Sequence, residues 1–327
     1  MAKKKTKLIL FNEFATREKL EAIKGLMNIL PDPDDILAQN NYDYKIYRDL
    51  LTDAHLMAAI QQRKMQIMQM DWEIEYDGEE RIKIRAKEIL NELPIQKIMN
   101  DILDCILFGM TIQEIMWKYD SDEIIPYDVV EKPQEWFIFN LDNELLLRKN
   151  EGGTYLFEEG EQLPELKFIV NRYHPTYNNP YGEKILSRCY WPVTFKRSGI
   201  EFWQTMVERY GMPYLIGYYA IGATTAEQEE LLAALEKMVQ DNITVMDEKY
   251  INKIELKESP SYDIGQLYEI LVKFHNSEIS KAVLTVTLTT DNQQTGSYKL
   301  GEIHKEMLSY IGLTDKKIVQ DGINRIE

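Results

Sequence analysis

Four histidines, two cysteines and a large excess of carboxylates are the side chains in this sequence whose types could do chemistry. His55, His174, His275 and His304 lie far apart, with no pair four residues apart on a helix and no nearby cysteine, so the common zinc arrangements are not expected. Cys105 and Cys189 each sit inside an apolar, helix-like run and read as buried free thiols rather than a disulfide or a metal pair. No glycine-rich loop ends in Gly-Lys-Ser/Thr, so a phosphate-cradling nucleotide site of that kind is not expected. Asp32-Pro33-Asp34-Asp35 and Asp120-Ser121-Asp122-Glu123 lack the alternating ligands, central glycine and closing glutamate of a calcium loop, and read as turns and helix starts. Carboxylates converging from separate elements could still build a two-metal phosphodiesterase or nuclease, a possibility that 54 acidic residues leave open at this level. No cofactor is expected.

The one dense basic run is Lys3, Lys4, Lys5 and Lys7, read either as a solvated terminus or as a contact to DNA or an acidic neighbour. Elsewhere acid prevails: the net charge of -16 argues against holding duplex DNA by neutralising its phosphates, so any contact with nucleic acid should be loose. With 44% hydrophobic residues the chain can fill two or three cores, yet no run approaches the ~20 apolar residues of a membrane span and no secretory leader is expected. A folded protein of a cytoplasm-like compartment, without a membrane contact, is the expectation.

Thr16 can cap an amphipathic helix carrying Leu20, Ile23, Met27 and Leu30, stopped by Pro31-Asp32-Pro33. A second helix starts near Thr52 or Asp53 with Leu56, Ile60 and Ile67 on one face, and Trp72-Glu73-Ile74-Glu75-Tyr76 then switches to the two-residue period of a strand. Two helices broken at Pro94 fill Arg81 to Gly109. Strands follow around 112–119, 135–139, 144–148, 154–158 and 167–172, with turns at Asp142-Asn143 and Gly152-Gly153, which together read as an antiparallel meander.

The turn Asn178 to Gly182 precedes a helix from Pro192 to Tyr210, about 27 Å long. A small module comes next: a strand at 214–219, a helix opened by Thr224 or Thr225 with Leu231, Leu235 and Met238 inward, and strands around 243–246 and 254–257. Pro260 and Ser261 start another long helix, with Ile264, Leu267, Leu271 and Phe274 on one stripe, running toward Val283. A polar loop from Thr285 to Gly296 leads into a last helix carrying Leu300, Ile303, Met307 and Tyr310, closed near Gly312. Trp191, Trp203 and Tyr210 read as core or subunit-interface residues.

Several strings resemble those of the portal proteins of Mu-type tailed bacteriophages. They are Asp34-Asp35-Ile36-Leu37, Arg63 to Met70 with Trp72, Asn179-Pro180-Tyr181-Gly182-Glu183, Tyr190-Trp191-Pro192, Phe195-Lys196, Glu208 to Pro213, Glu278 to Leu284, Thr289-Thr290 and Thr295 to Tyr298. The resemblance implies an α+β portal fold with an N-terminal arm (1–30), a mixed wing of helices and meander (31–191), a first stem helix (192–210), a clip (211–259), a second stem helix (260–284), a tunnel loop (285–296) and a helix returning to the wing (297–327). It implies a ring of about twelve copies at the capsid vertex, passing double-stranded DNA, rather than an enzyme. Implied partners are other copies of the chain, terminase, capsid and scaffold proteins and head-completion or adaptor proteins; the implied locations are the virion and, during assembly, the host cytoplasm. Under that resemblance the channel candidates are Thr287, Thr289, Thr290, Asn292, Gln293, Gln294, Lys281 and Lys299. The docking candidates on the clip are Tyr214, Tyr218, Tyr219, Glu227, Glu230 and Tyr250. Portals of this family usually continue into a C-terminal crown, which is not expected in a sequence that stops at Glu327. A metal-dependent nuclease, or a prophage-derived binding module that does not assemble, are the alternatives.

Overall fold

The computed structural model describes residues 29–120, 122–151, 154–210, 214–218, 222–241, 253–257, 264–286 and 298–326. They form two compact units, Met1–Pro192 with Asn276–Glu327 and Val193–His275. Strand β1 (Ile29–Leu30) and helices α1 (Asp35–Gln39), α2 (Lys45–Leu50) and α3 (Ala54–Met68) lead the first unit. Capping sets where the helices begin. The Asp34 carboxylate accepts the N–H groups of Ile36 and Leu37, and Asp53 accepts that of Leu56, each satisfying donors that a first helical turn leaves open. Helix α3 buries Leu56, Ile60 and Ile67, as its periodicity predicts. The amphipathic helix expected to reach Leu30 does not: Ile29 and Leu30 lie opposite Asn140 and Phe139 in a sheet, a tertiary pairing that local periodicity cannot register, and its remaining residues fall outside the described ones.

Trp72 to Tyr76, expected as a strand, pairs with nothing among the described residues and is largely exposed. Alternation makes a strand only where a neighbour supplies the ladder of hydrogen bonds. Helices α4 (Glu80–Glu92) and α5 (Ile95–Leu103) are separated at Pro94, before which Leu93 is pushed to an extended ψ of 151°. The short α6 (Cys105–Phe108) ends at Gly109, whose φ is +88°.

The middle third holds strands β2 (Met110–Asp120), β3 (Glu123–Lys132), β4 (Phe137–Asn140), β5 (Leu145–Glu151), β6 (Thr154–Gln162) and β7 (Phe168–Arg172). They do not form one meander. Two antiparallel sheets are present, in the orders β3-β2-β7 and β1-β4-β5-β6. Sequence reading misses β3, whose Pro126 is an ordinary strand breaker; the ladder absorbs it with a register shift between Met116 and Trp117, opposite Pro126 and Asp128. The expected strand at 135–139 starts late, because Gln134–Trp136 form a single 3-10 turn before β4. Met110 and Ile112 of one sheet and Phe137 and Phe139 of the other close on each other as a buried cluster with Tyr181. The Asp120 to Glu123 and Asp142-Asn143 segments are hairpin turns, with left-handed backbone at Asp122 and Asn143.

Helix α7 (Ile185–Tyr210) begins seven residues before the expected start and runs through Pro192. An internal proline costs a helix about 3 kcal/mol. Ile185, Leu186 and Val193 are all buried to 2% exposure or less, and burying each such aliphatic side chain contributes about 1.5–3 kcal/mol, which outweighs that cost. Cys105 and Cys189 are both buried and free, as expected, and burial pushes the Cys189 thiol up to about 12.

In the second unit α7 continues beyond Pro192, followed by β8 (Tyr214–Tyr218), α8 (Thr225–Asp241), β9 (Lys253–Lys257) and the first part of α9 (Ile264–Leu284). Strands β8 and β9 pair antiparallel from Tyr214 opposite Lys257 to Tyr218 opposite Lys253. Phe195 meets His275, Gly199 meets Leu271 and Trp203 stacks near Tyr268, so α7 and α9 run antiparallel there. Strand 243–246 and the helix start at Pro260 lie outside the described residues. Trp191 and Trp203 keep 51% and 38% exposure and are therefore not core residues of the single chain.

The last helix, α10 (Tyr298–Ile323), does not close near Gly312 but continues eleven residues past it. Gly312 and Gly322 are there for contact rather than termination. A Cβ at Gly312 would stand 3.0 Å from the Gln66 Oε1, and one at Gly322 would stand 2.7 Å from the Asn171 Oδ1.

Candidate functional site

The loop that the sequence singled out for contact with DNA lies almost wholly outside the described residues: Thr287, Thr289, Thr290, Asn292, Gln293 and Gln294 all fall there. The helices on either side are described, and a buried arginine ties the end of the first to the C-terminal half of the second. Arg63, on α3, spends its guanidinium on two elements far away in sequence. Nε and Nη2 donate to the two Asp315 carboxylate oxygens of α10 at 2.7 and 3.0 Å, and Nη1 donates to the Val283 carbonyl at the end of α9 at 2.8 Å. The Tyr173 hydroxyl lies 3.3 Å from Nη2. The pair is 7% and 1% exposed, so this is a desolvated, bidentate contact that also satisfies one of the open carbonyls at a helix C-terminus. The His55 Nε2 lies 2.8 Å from the Ser280 Oγ, a second tie between α3 and α9. Thr285, just beyond, takes φ +58°, turning the chain away from the helix.

Lys281 faces solvent but is not an open cation, since its ammonium lies 2.6 Å from Glu278 one turn earlier. Lys299 lies in the first turn of α10. Of the docking candidates, Tyr214 and Tyr218 lie on β8, while Tyr219 and Tyr250 fall outside the described residues. Glu227 closes the start of α8. Its Oε2 accepts both the Thr224 N–H at 2.7 Å and the Thr224 hydroxyl at 2.9 Å, and these bonds hold its carboxyl below the usual value. Glu230 is exposed on the same helix.

The Asn179 to Glu183 string is the other feature whose geometry is specific. The Tyr181 hydroxyl donates to the Leu30 carbonyl at 2.8 Å and accepts the Phe139 N–H at 3.1 Å, pinning β1 and β4 to the turn. Gly182 adopts φ +80°, and a Cβ there would come within 2.4 Å of the Gly109 carbonyl oxygen. Lys184 enters the interior and meets Asp32 at 2.8 Å, with the Tyr44 hydroxyl donating to the same carboxylate at 3.2 Å. Burial, then the Asp32 charge, pushes the Tyr44 phenol well up, so it stays a donor. Arg63, Asp315, Lys184 and Asp32 were not singled out in the sequence as a site. Charged residues inside apolar helical patterns, such as Arg63 between Ile60 and Ile67, were the available signal.

One group of carboxylates converges from separate elements, as a metal-dependent nuclease requires. Asp101 and Asp104 near α5 and Glu131 of β3 bring oxygens within 4.8 Å of one another. Lys64 and Lys97 stand 2.7 and 2.9 Å from Asp104 and Asp101, so lysines already occupy the place of a cation. Burial and the two aspartates push Glu131 up to about 7. This is an internally neutralised cluster, and nothing in its geometry favours the nuclease alternative.

The sequence matches the family described as the portal protein of Mu bacteriophage over residues 44–326. It is 24% identical over 280 residues to the portal protein of Escherichia phage Mu, covering 84% of this chain and 53% of that one. It is likewise 24% identical over 285 residues to the Mu-like prophage FluMu protein gp29 of Haemophilus influenzae, with the same coverage. The chain spans about half the length of the curated relatives it matches. Among solved structures, a chain from the neck of an empty gene transfer agent particle computed with C6 symmetry superposes with a TM-score of 0.55 at 13% identity, over 82% of this chain and 73% of that one. A HK97 family phage portal protein from Corynebacterium diphtheriae gives 0.38 at 7% identity, over 76% and 80%. The family match across nearly the whole described chain, on an α+β fold, means that the chain belongs to the Mu-type portal protein family.

Proposed function

We propose that this chain is a portal subunit: copies assemble into a closed ring at a capsid vertex, and double-stranded DNA passes through the centre during packaging and ejection. The family match over residues 44–326 carries the reading. The order of elements supports it: a wing of helices and small sheets, a long helix (Ile185–Tyr210), a small clip with β8, α8 and β9, a second long helix (Ile264–Leu284), then the residues proposed as tunnel loop (285–296) and a helix (Tyr298–Ile323) returning to the wing. A net charge of -16 suits a conduit, because a duplex slides where few cations trap its phosphates. Polar, mostly uncharged residues from Thr287 to Gln294 would offer weak hydrogen bonds to passing phosphates, and the clip would dock terminase and head-completion proteins. Capsid and scaffold proteins are further partners, and the virion is the location. The subunit acts by shape and assembly rather than catalysis.

The test is the mass of the purified protein by light scattering over a concentration series, with negative-stain images of the same sample. A closed ring of about twelve copies is expected. A monomer at every concentration and salt, with no ring in the images, overturns the assembly.

A further inference from the structure

An open groove of about 1030 Å³ lies in the first unit between α3, residues 70–75, α5 and α10. That volume is at the upper limit of small-molecule pockets, the size of a site for a peptide segment. One wall is Asp71 to Glu75, in the unpaired segment that carries the alternation of a strand. Among the described residues none of its backbone groups takes part in a backbone hydrogen bond. Sequence and structure disagree here in an informative way: the residues are written for a strand, and the single chain contains no partner for it among the described residues. Apolar side chains face outward alongside, Trp72 at 37% and Leu313 at 59% exposure. Four acidic and two basic residues line the groove, and among the described residues Asp71, Glu73 and Glu75 have no ion-pair partner.

The occupant such a groove takes is an extended segment that is basic at one end and apolar at the other. This chain contains one: Lys3-Lys4-Lys5-Thr6-Lys7 followed by Leu8-Ile9-Leu10-Phe11. We infer that the acidic groove of one copy receives residues 3–11 of a neighbouring copy as an added strand, which presumes the ring proposed above. Two different, complementary patches on one chain are what a head-to-tail interface needs, since each copy gives one and receives the other. Charge favours the neighbour as well. Copies at -16 each repel, and the lysine run is the one dense positive patch that can meet the acidic wall of the next copy. The chain between Phe11 and Ile29 reaches about 60 Å fully extended and roughly 35 Å with the expected helix from Thr16 formed, lengths that lead out of one copy toward the next.

Two full-length variants, Leu8→Cys and Ile74→Cys, separate the possibilities when mixed under mild oxidation. A disulfide-linked pair of unlike chains is expected at least about tenfold above the linked species of either variant alone, falling in 1 M salt as exposed ion pairs are screened. Adding Lys3→Glu, Lys4→Glu and Lys5→Glu to the first variant abolishes the link, and Asp71→Lys, Glu73→Lys and Glu75→Lys in the second restores it. Rings in light scattering without the cross-link overturn the arm-in-groove contact and leave the ring reading intact. A cross-linked pair without rings keeps the contact and sinks the ring. A link formed only within one chain bearing both cysteines overturns exchange between copies, and neither link nor ring overturns both proposals.

Discussion

Replacing Asp315 by alanine should destabilise the first unit strongly. The substitution leaves Arg63 with its guanidinium at 7% exposure and its two carboxylate bonds gone, while its bond to the Val283 carbonyl remains. Breaking a buried ion pair from one side costs about 3–5 kcal/mol, because the remaining charge is left desolvated without a counter-charge. With a urea slope of about 2–3 kcal/mol/M, the midpoint should fall by about 1–2.5 M at unchanged slope. The companion variant Arg63→Met with Asp315→Leu removes both charges and fills similar volume, so it should recover most of the loss, to within about 1–2 kcal/mol of the parent. Hydrogen exchange localises the effect: amides of Ala282 to Thr285, at the end of α9, should lose protection in Asp315→Ala. A midpoint shift below about 0.3 M, or a double variant that loses as much as the single, would refute the claim that the pair ties the end of α9 to α10.

Glu131 takes up a proton near neutrality because burial and the adjacent Asp104 and Asp101 charges raise it from 4.5 to about 7. A carboxyl raised on folding contributes stability that is fully present below its unfolded value and lost as pH rises through 7, so Glu131→Gln should flatten the decline between pH 5 and pH 8 by on the order of 1–2 kcal/mol, measured by urea titration at each pH. Tyr181→Phe removes the partner of both the Leu30 carbonyl and the Phe139 N–H and should cost about 1–3 kcal/mol in a denaturation series. Gly182→Ala places a methyl against the Gly109 carbonyl at φ +80° and should lower the unfolding midpoint by more than Tyr181→Phe; equal stability to the parent would sink the close-approach argument.

Where local chemistry decides, the sequence was readable. Asp34 and Asp53 open helices because their side chains accept nearby N–H groups, the Glu227 carboxylate accepts the Thr224 N–H at the start of α8, and Asp142-Asn143 turns because asparagine tolerates left-handed backbone. Where a local signal competes with packing, it misleads. Pro192 reads as a helix start and Gly312 as a stop, yet α7 and α10 run through both, since buried aliphatic area and close helix approach outweigh the local penalty. Pro126 hid an entire ten-residue strand that its pairing with β2 stabilises.

The family strings identified the chain, and periodicity placed most of its longer helices and most strands but not the short helix Lys45–Leu50, because caps, turns and apolar stripes act within a few residues. The anchors were decided only by tertiary structure. Arg63 meets Asp315 across 252 residues and Lys184 meets Asp32 across 152, and no local rule says which buried charge will find which partner. Trp72 to Tyr76 obey the same physics: side-chain alternation is written in the sequence, whereas a strand exists only where folding or assembly brings a second backbone alongside it.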